Sequence, residues 1–329
     1  MLSRRGLVGG ATFAAAGACT GISDASAAAG QPDANAQAPG YYRYKLGDFQ
    51  VTVVTDGVST YPVPERFVAN ASKAEVSDAL KAAHLDGERI SVPYSPIVVD
   101  TGRQRVLIDT GTGEANLAVS KGAAGQLQRN LRAAGIGPDD IDLVIISHFH
   151  GDHVNGLLGP DGKAAFPKAE ITVPEVEWAF WMDDGEMSRA PAGRMQELFK
   201  NNRRVFDALG RKVARYAWDK EVVPGIQALG TPGHTPGHTS FLVSSGGAQV
   251  FVQSDVTNLP ALFARNPGWH AAFDQDGPMA EATRRKVYDR LAADGTTVQG
   301  FHYPFPAVAN VEKTALGYRE VPRPWMPIL

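Results

Sequence analysis

One cysteine, Cys19, is all the chain carries in 329 residues. It stands within residues 1–29, so a chain trimmed after Ala27 has no thiol. That excludes a disulfide framework and a thiolate metal site in the mature protein. Blocks of lysine and arginine are absent and the formal charge is only −3, which argues against a general nucleic-acid binder. No apolar run is long enough to cross a membrane securely; the best, within residues 1–29, is short and dominated by Gly and Ala. A G-x-S-x-G elbow is missing, so no serine nucleophile is expected. No short fixed repeat organises the chain.

What the N-terminus does contain is an address. Ser3-Arg4-Arg5-Gly6-Leu7 is a twin-arginine signature, followed by the Gly/Ala-rich stretch and by Ala25-Ser26-Ala27, a small-residue cleavage site. Residues 1–29 are therefore predicted to be a twin-arginine-type signal peptide. The twin-arginine export machinery would read it and place the protein in the periplasm or outside the cell. Ala16-Gly17-Ala18-Cys19 leaves a lipid anchor on Cys19 as the lesser alternative, because a Leu three residues before the cysteine is missing. Residues 30–40, rich in Ala, Gly, Pro and Gln, read as a flexible leader. The remainder, 41–329, belongs to a chain that is 43% hydrophobic, enough for a large core, and is predicted to be one catalytic domain.

Periodicity and turn residues predict strands at 42–46 and 49–56, a helix at 72–84, and a hairpin of strands at 95–99 and 105–108. A helix at 124–134 stops at Gly135, and strands follow at 143–147 and 169–173. The stretch 174–218 reads as mostly helical and oddly aromatic. Two apolar runs, Val106-Leu107-Ile108 and Val250-Phe251-Val252, each deliver a carboxylate near their end, Asp109 and Asp255. That coarse symmetry predicts an α/β (α+β) fold of two β-rich halves, each covered by helices: a four-layer αββα sandwich.

The chemistry lies in the histidines. His148-Phe149-His150-Gly151-Asp152-His153 follows the buried-strand run Leu143-Val144-Ile145-Ile146-Ser147. His148 and His150, two apart on extended chain, can point the same way. Gly151 lets the backbone turn so that Asp152 and His153 face the same space. Three imidazoles and a carboxylate make a poor core and a good metal site. The segment Thr231-Pro232-Gly233-His234-Thr235-Pro236-Gly237-His238-Thr239, then Ser254-Asp255, then Phe301-His302-Tyr303 supply further donors. Imidazoles and carboxylates without cysteine suit zinc, iron, manganese, cobalt or nickel. His84 and His270 belong to no cluster and default to surface or ordinary core.

In this order the motifs resemble those of the metallo-β-lactamase-fold hydrolases. The whole layout is similar to the methyl parathion hydrolase branch, through the exported N-terminus, Gly-Tyr-Tyr-Arg at 40–43, Leu46-Gly47-Asp48-Phe49, Gly-His-Thr-Pro-Gly-His-Thr at 233–239 and Gly317-Tyr318-Arg319. The resemblance implies that His148, His150 and His234 hold one divalent metal, that Asp152, His153 and His302 hold a second, and that Asp255 bridges, with zinc the first choice. It implies Asp109 as a buried support of the metal loop and His238 as a supporting or packing residue. Implied catalysis is hydrolysis by a metal-bridging hydroxide, with Asp152 orienting the nucleophile and relaying its proton. The implied substrates are aryl esters, lactones or organophosphate triesters, in a pocket walled by Trp181, Phe199 and Trp178, and the branch suggests a homodimer. Asn258 stands where the quorum-quenching lactonases of this fold carry a Tyr, which lowers acyl-homoserine lactones as the specific assignment. The alternatives are a glyoxalase II-like thioesterase or a mononuclear iron dioxygenase, both disfavoured by the export signal. A β-lactamase is disfavoured by Asp255, and a non-catalytic metal-binding protein by the complete donor set.

Overall fold

Alternation along the strands decides the layers. In Ile97–Asp100, Ile97 and Val99 are buried on one face and Val98 on the other; in Arg105–Ile108, Val106 and Ile108 share a face and Leu107 opposes them. In Ala248–Ser254, Val250 and Val252 turn one way and Phe251 the other. Strands buried on both faces need cover on both. A computed structural model describes residues 37–329 and provides that cover; the predicted signal peptide, Cys19 and most of the leader lie outside the described residues.

One seven-stranded sheet runs, in space as in sequence, Tyr41–Leu46, Phe49–Val54, Ile97–Asp100, Arg105–Ile108, Leu143–Ile145, Glu170–Pro174 and Ala214–Tyr216. Its first four strands pair antiparallel and the later ones parallel. The second seven-stranded sheet runs Glu221–Val223, Ile226–Gly230, Thr239–Ser245, Ala248–Ser254, Thr297–Gly300, Val308–Lys313 and Tyr318–Pro322. Only its Ala248–Ser254 and Thr297–Gly300 pair is parallel. Val99, Val106 and Ile145 of the first sheet pack against Phe241, Val243 and Val250 of the second. Helices Leu127–Ala133, Glu175–Trp181 and Arg194–Ala208 cover the first sheet's outer face, and Gly277–Asp294 covers the second's. The result is an αββα sandwich of four layers. Among the described residues no helix is long and apolar enough to cross a membrane.

Most predicted elements lie within a few residues of their expected bounds. The helix read at 72–84 is Lys73–Ala82, started by a capping box in which Ser72 and Glu75 satisfy each other's backbone N–H. The stretch 174–218 is mostly helical, as read, but after its three helices it ends in the strand Ala214–Tyr216, an edge of the first sheet. Several elements had no prediction, most strands of the second sheet among them. Gly277–Asp294 is a helix opened by Asp276, whose side chain accepts the Met279 N–H, and closed by Gly295 at φ 64°. A separate antiparallel hairpin, Gly57–Pro62 with Arg89–Tyr94, joins neither large sheet.

Candidate metal centre

Strand ends bring the donors together. The His148–His153 segment follows Leu143–Ile145, Asp255 follows Ala248–Ser254, His302 follows Thr297–Gly300, and His234 precedes Thr239–Ser245. Ser254 and Asp109 adopt left-handed backbone at φ 51° and 61°, so the chain turns sharply as each strand ends. Three groups form: His148 with His150 and His234; His148 with His153 and Asp255; Asp152 with His153 and His302. Within each, the donor atoms lie within 4.8 Å of one another. All seven predicted metal-binding residues therefore meet at one edge of the sandwich, nearly all of them buried.

The Asp255 carboxylate sits between the groups. Its Oδ2 is 3.3 Å from His234 Nε2 and 3.0 Å from His302 Nε2, and its Oδ1 is 3.2 Å from His153 Nε2. Asp255 Oδ1 and His153 Nε2 are both buried without a hydrogen-bond partner. Leaving such groups unsatisfied is costly, and a cation between them removes that cost. Nitrogen and oxygen donors at this spacing fit one or two divalent ions. Burial, followed by the neighbouring histidines, pushes the His148 and His150 imidazoles well below their ordinary pKa, which leaves them in the neutral form that ligates.

Surrounding groups set the ring tautomers. His153 donates from Nδ1 to Asp109 Oδ2 at 2.9 Å, and Asp109 also accepts the Ser147 N–H and hydroxyl at 2.8 Å each. Asp109 thus holds both the ring and the start of the metal loop. His302 Nδ1 donates to the Pro93 carbonyl at 2.8 Å, and His234 Nδ1 to Asp274 Oδ1 at 2.8 Å. In each case the Nε2 is left facing the cluster. His238 spends both nitrogens elsewhere: Nδ1 donates to the Thr231 carbonyl, and Nε2 accepts the Asp255 backbone N–H at 3.0 Å. Burial drives its pKa down to about 3, so it stays a neutral acceptor.

Three supports escaped the sequence reading: Asp274, the Pro93 carbonyl and Glu177. Glu177 is fully buried. Its Oε2 accepts the Phe149 N–H at 2.9 Å and the Trp181 indole N–H at 2.7 Å, and its Oε1 accepts the Gly237 N–H at 2.7 Å. Phe149 lies between His148 and His150, and Gly237 lies between His234 and His238, so one carboxylate ties the two metal-bearing loops. A Cβ on Gly237 would stand 2.3 Å from the Glu177 nitrogen, so only glycine allows the approach.

A cavity of about 580 Å³ opens over the cluster. His150, Asp152, His234, Asp255 and His302 form its floor, and Tyr61, Tyr94, Phe67 and Phe273 stand in its walls with Asn258. The predicted aromatic wall is corrected. Trp181 and Phe199 are fully buried, 4.7 Å apart ring to ring, in the core between their helices and the first sheet. Trp178 packs edge-on against Phe206 at 5.4 Å. None of the three borders the cavity; the helix Glu175–Trp181 must spend its apolar face on covering the sheet. Replacing Trp181 with alanine is accordingly expected to cost about 3–5 kcal/mol of stability, read as a lowered urea midpoint. A selective rise in KM at unchanged stability would return Trp181 to the pocket.

Comparison with known proteins agrees with this geometry. A protein-family model described as the metallo-beta-lactamase superfamily matches residues 92–260. A solved structure of AidC, a dizinc quorum-quenching lactonase with a bound product, superposes with TM-score 0.80 at 26% identity, covering 87% of this chain and 98% of that one. Hydrolase AbOPH of the beta lactamase superfamily gives TM-score 0.80 at 25% identity, covering 88% and 100%. An N-acyl homoserine lactonase of Bacillus cereus is 29% identical over 174 residues, 48% of this chain. The match spans 61% of that relative's length.

Proposed function

The chain belongs to the metallo-beta-lactamase superfamily, and from that premise we propose that it is a binuclear metal-dependent hydrolase of lactones and aryl esters. The observation that carries the proposal is the Asp255-centred donor cluster on the floor of a cavity with aromatic walls. His148, His150 and His234 would hold one ion, Asp152, His153 and His302 the other, and Asp255 both. Zinc is the first choice, in keeping with the dizinc relative. Ions held there supply Lewis acidity, which lowers the pKa of water and polarises a carbonyl or phosphoryl oxygen.

The chain's own groups do the rest. Asp152, with a side chain 27% exposed, is the cluster carboxylate more open to the cavity, since Asp255 is 3% exposed. It can take a proton from the attacking water and hand it to the leaving oxygen. Tyr94 is buried at the wall, and burial, with the Asp152 charge second, raises its pKa. A phenol held protonated can donate a hydrogen bond to a substrate carbonyl. Asn258 Oδ1 is buried and unpartnered at the cavity, ready to accept an N–H such as that of an acyl amide. Acyl-homoserine lactones therefore rejoin the candidates despite Asn258 standing in place of a tyrosine. Phosphotriesters of the methyl parathion type are the secondary substrate class, and export through the twin-arginine machinery completes the reading.

Purified protein reconstituted with zinc should turn over at least one of dihydrocoumarin, p-nitrophenyl acetate, N-hexanoyl-homoserine lactone and methyl paraoxon, with close to two metals per chain. Nitrocefin should be left intact, and a chelator should abolish turnover. Two bound metals with no hydrolysis across the panel would defeat the substrate assignment.

A further inference from the structure

Arg194 opens the helix Arg194–Ala208 at the mouth of the catalytic cavity. Among the described residues bordering that cavity it is the only Lys or Arg. Its guanidinium lies over the Phe273 ring at 5.6 Å, and Phe273 packs edge-on against the His234 imidazole at 5.7 Å. The cation is thus seated on a ring that itself touches the metal cluster. Neighbouring arginines are occupied: Arg189 pairs with Glu186, Arg203 with Asp184, and Arg204 donates to Asn201. Among the described residues the Arg194 guanidinium has no hydrogen-bond or ion-pair partner, although Asp152, Tyr61 and Asp274 lie within range of its charge. Arg194 is open to solvent, but it stands in a concavity, and the protein around it draws its pKa down from a value so high that it stays charged.

We propose that Arg194 is a specificity residue that receives a carboxylate carried by the substrate, so that the preferred ester or lactone is a monoanion rather than a neutral aryl ester. The inference rests on the hydrolase reading above. A guanidinium offers two parallel N–H groups that match a carboxylate. One guanidinium balances one carboxylate; a phosphate dianion beside Asp152 would call for more positive charge than this single side chain supplies at the mouth. The aromatic walls, Tyr61 and Phe273 among them, suit an apolar spacer between the carboxylate and the scissile bond.

The test compares the mono-p-nitrophenyl ester of adipic acid with its methyl ester, two substrates with one leaving group and one spacer, differing in charge. Zinc-loaded wild-type protein should favour the acid in kcat/KM by roughly tenfold to a hundredfold, mainly through KM, and the preference should shrink with added salt. R194Q should bring the ratio of the two constants close to one, and R194K should restore part of it. Calorimetry with the monoanilide of adipic acid and its methyl ester gives a readout without turnover: wild type should bind the acid more tightly, and R194Q should not. Turnover with no preference for the acid overturns the Arg194 assignment and leaves the hydrolase reading standing. A preference that persists in R194Q, or equal slowing of both esters, overturns it too. Binding preference lost in R194Q without turnover of either ester upholds the anion site and defeats the hydrolase reading.

Discussion

Replacing Asp255 with alanine is expected to cost on the order of a thousandfold or more in kcat/KM toward whichever ester or lactone the protein turns over, the scale seen when one member of a cooperating unit is removed. The reason is positional. Asp255 touches His153, His234 and His302 at 3.0–3.3 Å, so its carboxylate reaches both halves of the donor set. Burial pushes its carboxyl pKa up, but His302, His153 and His234 together outweigh burial and hold it well below the usual carboxylate range. Alanine leaves two separate trios of donors. Metal analysis of the variant should find fewer than two ions per chain, while its fold persists because the Asp255 backbone N–H still reaches His238. Turnover within tenfold of wild type would refute the shared-carboxylate arrangement.

The second large effect is expected at Glu177, far from any substrate. Substituting glutamine keeps the shape but puts an amide NH2 where only acceptors serve, because backbone or indole N–H groups approach both carboxylate oxygens. Whichever way the amide turns, one donor meets another. The expected cost is about 3 kcal/mol of stability and a roughly tenfold to hundredfold loss in metal affinity, the range for groups that hold ligands in place. Competition with a chromogenic chelator measures the second quantity at a temperature where the variant remains folded. E177Q that binds metal as tightly as wild type would reduce Glu177 to an ordinary core group.

These two residues mark the boundary of what could be read from residue order. Asp255 was legible because a carboxylate closing a buried strand, among histidines at other strand ends, has few uses besides metal binding. The other donors are of the residue types ligation demands, but the choice of His234 over His238, and the division of the set between two ions, came from the resemblance to the metallo-β-lactamase-fold hydrolases. Glu177 was not legible, since its partners are backbone N–H groups distant in sequence that leave no side-chain signature, and Asp274 sits in a segment whose neighbour Asp276 shows only a helix cap. The pocket failed for a different cause. Trp178, Trp181 and Phe199 are large and apolar, but whether a ring faces a core or a cavity depends on which helix face the sheet claims. The layers themselves were legible from two apolar runs that each deliver a carboxylate near their end, whereas the hairpin of Gly57–Pro62 and Arg89–Tyr94 lacks the long apolar run that marks a central strand.

That hairpin places two jobs on adjacent residues. Tyr94 and Val92 face the catalytic cavity, and Pro93, between them, gives its carbonyl to His302 Nδ1. Any drift in sequence that reshapes this wall for a new substrate also tugs on a metal-binding histidine. Divergence of substrate range at the hairpin is therefore coupled to metal occupancy, and variants selected for a new ester should, on this edge of the cavity, tend to change their metal dependence in the same step.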